Sequence, residues 1–344
     1  MKFLSVIKED RKFGFIDIFK FIMAFAVIAI HTNPVVNCTN LLLVKCVIIV
    51  EDWAVPFFFI TAGFFLFYNM EIYSDLQIQR IDKYLKKIVM MYCVWTVISF
   101  PLTVYGYIQS NNSIIDCILS YVKYFLFVGK LYNSYHLWYL LALIYAVVII
   151  RFMLKHKCRI IHVVLVAVLI YSINEILQYI ISYSQSVTSI TYKAAYLYQY
   201  VFNKGGVFCG MVYVVTGMLI ANYKKYLNRW LSIILIVIIN IIKLYSNQVL
   251  IEHLKILETT LVFMVIVSIE INDNIRFKLL RKSSTIIYLS HLIWYSVYTF
   301  AIIKTPNKLG ADSFVVTSLL AFINAVTFIK LMQNDKMKWI RKIT

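Results

Sequence analysis

Three side chains in the first apolar stretch have types and spacing that suit chemistry. They are Asp17, Lys20 and His31 in FIDIFKFIMAFAVIAIHTNP, residues 15–34. Lys20 and His31 are eleven positions apart, close to three whole turns at about 3.6 residues per turn, so they share one helix face. Asp17 lies three positions before Lys20 and joins that face. From Lys20 to His31 the stripe runs about 16 Å, at about 1.5 Å per residue. An imidazole, with an unperturbed pKa of about 6.5, exchanges protons near neutrality and suits a general base. Ionisable groups inside a membrane helix are costly and mark function by default. A structural reading of the same stripe also stands. In it Lys20 reaches the headgroups, Asp17 pairs with it, and His31 is an interfacial residue.

The elements that must carry this stripe are read from composition. The chain has 344 residues, 62% of them hydrophobic, with a mean hydropathy of +0.79. Soluble domains have about 45–50% apolar residues, and here the excess is spread over nearly the whole length. The fold class expected is all-α: a polytopic membrane protein forming a single domain over 1–344. The formal charge of +18 sits in short basic clusters between apolar runs. That pattern indicates topology signals and headgroup contact, and no block resembles a nucleic-acid module. The N-terminal apolar run is too long for a signal peptide, lacks a small-residue cleavage site, and reads as a retained first helix. The six cysteines form no C-x-x-C pair and read as buried free thiols.

Ten spans are expected, at about 13–33, 53–70, 88–108, 134–154, 160–182, 205–222, 229–247, 251–271, 284–303 and 311–332. Lysines and arginines divide 24 to 9 between alternate sides, with Lys20 inside a span. The richer side is cytoplasmic, which places both termini there. His31 then lies near the outer surface, and Asp17 and Lys20 toward the cytoplasm. Two apolar stretches, 41–52 and 113–130, are short, interrupted by charge, and expected as interfacial or re-entrant helices on the outer side.

Other candidates are weaker. His136 stands beside Trp138 and Tyr139, a pattern that also fits an aromatic belt. His291, three residues from Trp294, also fits a buried structural histidine. His156, His162 and His253 fall near loop ends. Glu51 and Asp52 read as a solvated outer pair that could assist His31. Glu175 and Glu258 read either as satisfied core acids or as part of a polar path. His31, His136 and His291 lack ligand spacing and an accompanying carboxylate, so no metal site is expected. Gly-rich phosphate loops, nucleophile elbows and kinase signatures are absent from the sequence.

Read together, the motifs resemble the acyltransferase 3 family, membrane proteins that O-acylate surface glycans and lipids. The first helix is similar to that family's Arg and His separated by ten residues, with Lys20 at the Arg position and His31 at the His. AVPFFFITAGFFLF (54–67), KYLKKIVMMY (83–92), YHLWYLLAL (135–143), FNKGGVFCGMVYVVTGMLI (202–220) and SSTIIYLSHLIWY (283–295) resemble its later motifs, in order. AIHTNP and YHLWYL also resemble the membrane half of the vancomycin-resistance serine racemases, to which serine transport is assigned. No racemase domain is expected after the tenth span.

The resemblance implies an O-acyltransferase of the cell envelope, multi-pass in the bacterial plasma membrane. It would move an acyl group, acetyl above all, from cytoplasmic acyl-CoA to a hydroxyl of a surface polysaccharide, wall polymer or lipid-linked sugar. His31 would be the general base, with Lys20 and Asp17 completing the catalytic set. Lys20, Arg80, Lys86 and Lys87 would attract donor phosphates, and His136, Trp138, Lys204 and His291 would bind the acceptor or support the site. Lysine at 20 and 204, where the family has or favours arginine, keeps the charge but loses the bidentate fork. No permanently bound cofactor is expected; acyl-CoA is a substrate, and membrane lipids are the other partners. The alternative is a transporter of a small amino acid such as serine, using the same stripe.

Overall fold

A computed structural model describes residues 13–110, 112–183, 190–202, 206–223, 228–246 and 248–334. Twelve α-helices account for most of these, and the described residues form no strand beyond two isolated bridges. Among the described residues, six helical segments are long and apolar enough to cross a membrane: Gly14–Thr32, Asp75–Gln109, Tyr135–Lys155, Ile160–Ile181, Ile275–Ile302 and Ala311–Leu331. The described residues are therefore all-α, with apolar helices of membrane-spanning length. The chain divides into two compact units, one of residues 1–61 with 223–340 and 344, the other of residues 62–222 with 341–343.

The first unit holds α1 (Gly14–Thr32), most of α2 (Leu41–Phe67), α9 (Arg229–Leu244), α10 (Gln248–Val267), α11 (Ile275–Ser296) and α12 (Ala311–Leu331). α1 and α11 run parallel, because contacts advance together along both: Asp17 meets Arg281, and His31 meets His291. α12 returns antiparallel, with Phe21 against Phe322 and the Gly310 N–H donating to the Thr32 carbonyl at 2.8 Å. The core of this unit is aromatic and aliphatic. Phe57 packs between Phe19, at 4.8 Å between ring centres, and Phe263, at 5.4 Å. Ile16, Met23, Ala24, Val27 and Ile28 of α1 are buried around them. α1 ends where Asn33 turns left-handed, at φ 42°, and its N–H caps the Ala29 carbonyl.

The second unit holds the end of α2, α3 (Asp75–Gln109), α4 (Ile114–Lys123), α5 (Trp138–Lys155), α6 (Ile160–Tyr183), α7 (Ile190–Phe202) and α8 (Gly206–Tyr223). Ser74 caps α3 by accepting from the Gln77 N–H. α3 and α5 are antiparallel, joined by Arg151 forking onto Asp82, with Nη2 at 3.1 Å from Oδ2. Gly63 lies against the backbone of Val214 on α8, so closely that a Cβ would overlap the Val214 carbonyl.

Several expectations are corrected here. The stretch 41–52 is not a separate short helix: α2 is continuous for 27 residues, carrying Pro56 within it. α3 begins well before 88 and carries the basic stretch 83–87 inside the same helix. α11 likewise starts at Ile275, nine residues before the expected span. α7 is a helix for which the sequence reading has no counterpart. The 113–130 stretch is a short helix, α4, followed by a five-residue π turn, as its interruption by charge suggests. The six cysteines are free, but none is buried.

Candidate functional site

The site is built on the α1–α11 pair. At its N-terminal end Asp17 is fully buried. Arg281 reaches it from α11 as a fork, Nε to Oδ1 at 2.8 Å and Nη2 to Oδ2 at 2.5 Å. Asp273, just before α11, adds a second carboxylate 3.4 Å from Nη2. Burying the carboxylate demands such a partner, and the planar fork of arginine supplies two hydrogen bonds at once. The sequence points to Lys20 as the partner of Asp17; the structure adds a stronger one from a distant helix. Lys20 itself is half-buried on the same face.

Fourteen residues further along α1, His31 is half-buried, with its ring centre 5.2 Å from that of His291. His291 is fully buried, and its Nδ1 lies 2.7 Å from the Tyr288 carbonyl oxygen. A carbonyl only accepts, so Nδ1 carries the hydrogen, and a neutral ring then holds its lone pair on Nε2. Backbone geometry therefore fixes the tautomer of His291. Tyr288, also buried, packs on Phe58 at 5.6 Å and holds this turn of α11 in place. Nearby, Asn324 of α12 donates to Ser290 at 3.1 Å. In the loop between α11 and α12, the hydrogen bond from Lys308 to Asp312 holds the lysine ammonium above its ordinary pKa.

The remaining candidates belong to the second unit. Arg80 donates through Nη1 to the carbonyls of Tyr68, at 2.8 Å, and Leu66, at 3.4 Å, and so closes the end of α2. Lys86 and Lys87 are exposed on α3. His136 is buried in a single 3-10 turn, and Trp138 follows as the first residue of α5. Lys204 lies outside the described residues. The structure thus joins Asp17, Lys20, His31 and His291 on two adjacent helices, and describes Arg80, Lys86, Lys87, His136 and Trp138 in a separate unit. Among the described residues no group of histidines, cysteines and carboxylates has metal-binding geometry.

Two functional candidates are missed by sequence reasoning, Arg281 and Asp273. A signal exists for the first. Arg281 and His291 are ten positions apart, nearly the Lys20–His31 spacing, on a helix already singled out for its histidine. Loop-charge counting treats Arg281 as a topology residue and nothing more.

The remaining acids can be placed, one pair against expectation. Glu51 and Asp52 are not a solvated pair: Asp52 lies 3.0 Å from Lys255 and 3.9 Å from Lys243. Glu258 is a satisfied buried acid, accepting from Lys243 at 2.7 Å and Asn240 at 2.8 Å. Glu175 accepts from Asn174 at 3.1 Å.

This arrangement of paired basic residues and histidines on apolar helices has a family. The profile described as an acyltransferase domain matches residues 13–330, and the chain belongs to that family, the one its motifs resemble. Two relatives from Enterococcus faecalis, each described as an amino-acid racemase, are similar to part of it. One is 33% identical over 151 residues, 43% of this chain, and the other 35% over 141 residues, 41% of this chain. Each match spans 19% of the relative's own length. No solved structure matches.

Proposed function

We propose that the protein is a membrane O-acyltransferase that takes an acyl group, acetyl above all, from acyl-CoA on the cytoplasmic side. It delivers the group to a hydroxyl of a surface polysaccharide, wall polymer or lipid-linked sugar. The observation that carries this reading is the pairing of α1 with α11 in a chain of this family: an ionic end at Asp17, Lys20, Asp273 and Arg281, and a histidine pair fourteen residues along. In the proposed topology, ten spans with both termini in the cytoplasm of a bacterial cell, the first end faces inward and the second outward.

His31 takes the proton of the acceptor hydroxyl. The freed oxygen attacks the thioester carbonyl, an ester bond forms, the carbon–sulfur bond breaks, and the thiolate of coenzyme A leaves with a proton. His291, held as the Nδ1–H tautomer, positions His31 and steadies its charge when it is protonated. Lys20, with the exposed Lys86 and Lys87, attracts the donor's phosphates. Labour is divided among the cations at the inner end: Lys20 carries charge for the donor, while the fork of Arg281 anchors Asp17.

The test is surface ester content at matched membrane protein levels. His31→Gln keeps shape and hydrogen bonding but cannot act as the base, and should lower ester formation about 10²- to 10⁴-fold. Near-normal esters in this variant would make His31 structural. The resemblance of AIHTNP and YHLWYL to the membrane half of the serine racemases supports a second reading, a carrier of a small amino acid such as serine. Saturable serine uptake by proteoliposomes, without acyl-CoA and dependent on His31, would establish that reading instead.

A further inference from the structure

Beside the last turn of α1 lies a cavity of about 460 Å³. Ligand pockets commonly measure about 300–1,000 Å³, so it is large enough for a small headgroup. Its walls come from α1 (Ala29, Ile30), the turn after it (Asn33 to Thr39) and the first half of α2, as far as Glu51. Ile30 and Ala29 precede His31 by one and two positions, about 100° and 200° around the helix. The cavity therefore occupies a flank of α1 other than the one His31 turns to α11. It is distinct from the histidine pair, and no residue proposed above for donor, base or acceptor lines it.

Its chemistry is two-faced. Ile30, Val36 and Ile48 are 42%, 44% and 47% exposed, an aliphatic wall open to the surroundings of an apolar helix pair. The opposite pole is polar: Asn33, Thr39 and Glu51. Glu51 Oε1 is out of solvent's reach and accepts no hydrogen bond from any described residue. A buried acceptor left unmet is unfavourable, so the site calls for a donor from outside the chain. The next residue, Asp52, is held by Lys255 and Lys243 on α10 and α9. That ion-pair set fixes the turn of α2 and commits its lysines to Asp52 and Glu258, so that neither meets Glu51 Oε1.

We infer that this cavity holds the headgroup of a neutral glycolipid, with sugar hydroxyls donating to Glu51 and an alkyl chain along Ile30, Val36 and Ile48. A carboxylate accepts strongly from hydroxyls and repels a phosphodiester. An aliphatic wall open to lipid suits an acyl chain. The inference goes beyond the acyltransferase reading, since the cavity lies off the flank that His31 turns to α11; binding is measured without turnover.

The test uses the full-length protein in detergent, with lipid adducts counted by native mass spectrometry. The probes are monoglucosyl diacylglycerol, phosphatidylglycerol and phosphatidylethanolamine. The glycolipid should bind about tenfold more tightly than either phospholipid, a difference of about 1.4 kcal/mol. Val36→Trp, which fills the cavity, should weaken glycolipid binding about tenfold or more, and Glu51→Gln, which removes the charge, about threefold to tenfold. His31→Gln should leave it unchanged. Equal binding of the phospholipids, or full glycolipid affinity in both cavity variants, overturns the assignment. Either result leaves the acyltransferase reading standing, because that is judged by esters in His31→Gln. Normal esters in His31→Gln with selective glycolipid binding would do the reverse.

Discussion

Asp17 and Arg281 are the pair on which the inner end of the site depends. Removing one partner of a buried ion pair leaves the other uncompensated, at a cost of about 3–5 kcal/mol. Asp17→Asn and Arg281→Gln should each lower folded protein in the membrane, read by size-exclusion monodispersity on heating. Arg281→Lys keeps the charge and loses the fork, so it should fall between them and the unaltered protein. Equal stability of all four would remove the pair from the structural argument. At the histidines the expected contrast differs. His291→Asn keeps a hydrogen bond to the Tyr288 carbonyl but loses the imidazole, and should reduce turnover about tenfold or more with little change in the Michaelis constant for acyl-CoA. A positioning role further requires the pH profile of turnover to shift, which a purely structural residue would leave in place. The stripe on α1 is legible in the sequence because period and residue type suffice. Its partners are not, since Asp17 and Arg281 are 264 positions apart and no local spacing links them.

At the level of elements, apolar runs locate most helices but not their joins. Read by charge alone, Glu51 and Asp52 break the stretch 41–52 from the apolar run after it. Asp52 is offset by Lys255 and Lys243 instead, so the helix continues through the charges. α7 is not legible because ITYKAAYLYQYVF carries too many polar positions for an apolar run. α2 makes one close approach that can be tested, Gly63 against the Val214 backbone of α8. Backbone cannot swing aside as a side chain can, and overpacking of this kind costs about 1–3 kcal/mol. Gly63→Ala should therefore lower the thermal midpoint of the purified protein. An unchanged midpoint would mean that α2 and α8 separate without penalty.

For the whole molecule, the proposed arrangement is ten spans with both termini inside. Parallel α1 and α11 agree with it, since both are outward-going in that scheme, and antiparallel α12 agrees as well. Reporter fusions after residues 110 and 190 should read extracytoplasmic, and a cytoplasmic reading at either would reverse the sides assigned to His31. Salt should raise the Michaelis constant for acyl-CoA, because exposed charges such as Lys86 and Lys87 are screened. The double substitution of both lysines by glutamine should raise it too and flatten that salt dependence. An unchanged constant would remove them from the donor path. Among the described residues, six helices are long and apolar enough to span. The basic asymmetry of the loops is what argues for the rest.

The tie between α1 and α11 also has a schedule. Asp17 is among the first groups to enter the bilayer, while Arg281 is 264 residues later in synthesis. At about 5–20 residues per second, the acid waits on the order of 10–50 s for its cation. During that interval the first helix lacks the fork that completes its inner end. The inner end of the site is thus among the last parts of the fold to close, after nearly the whole chain has been made.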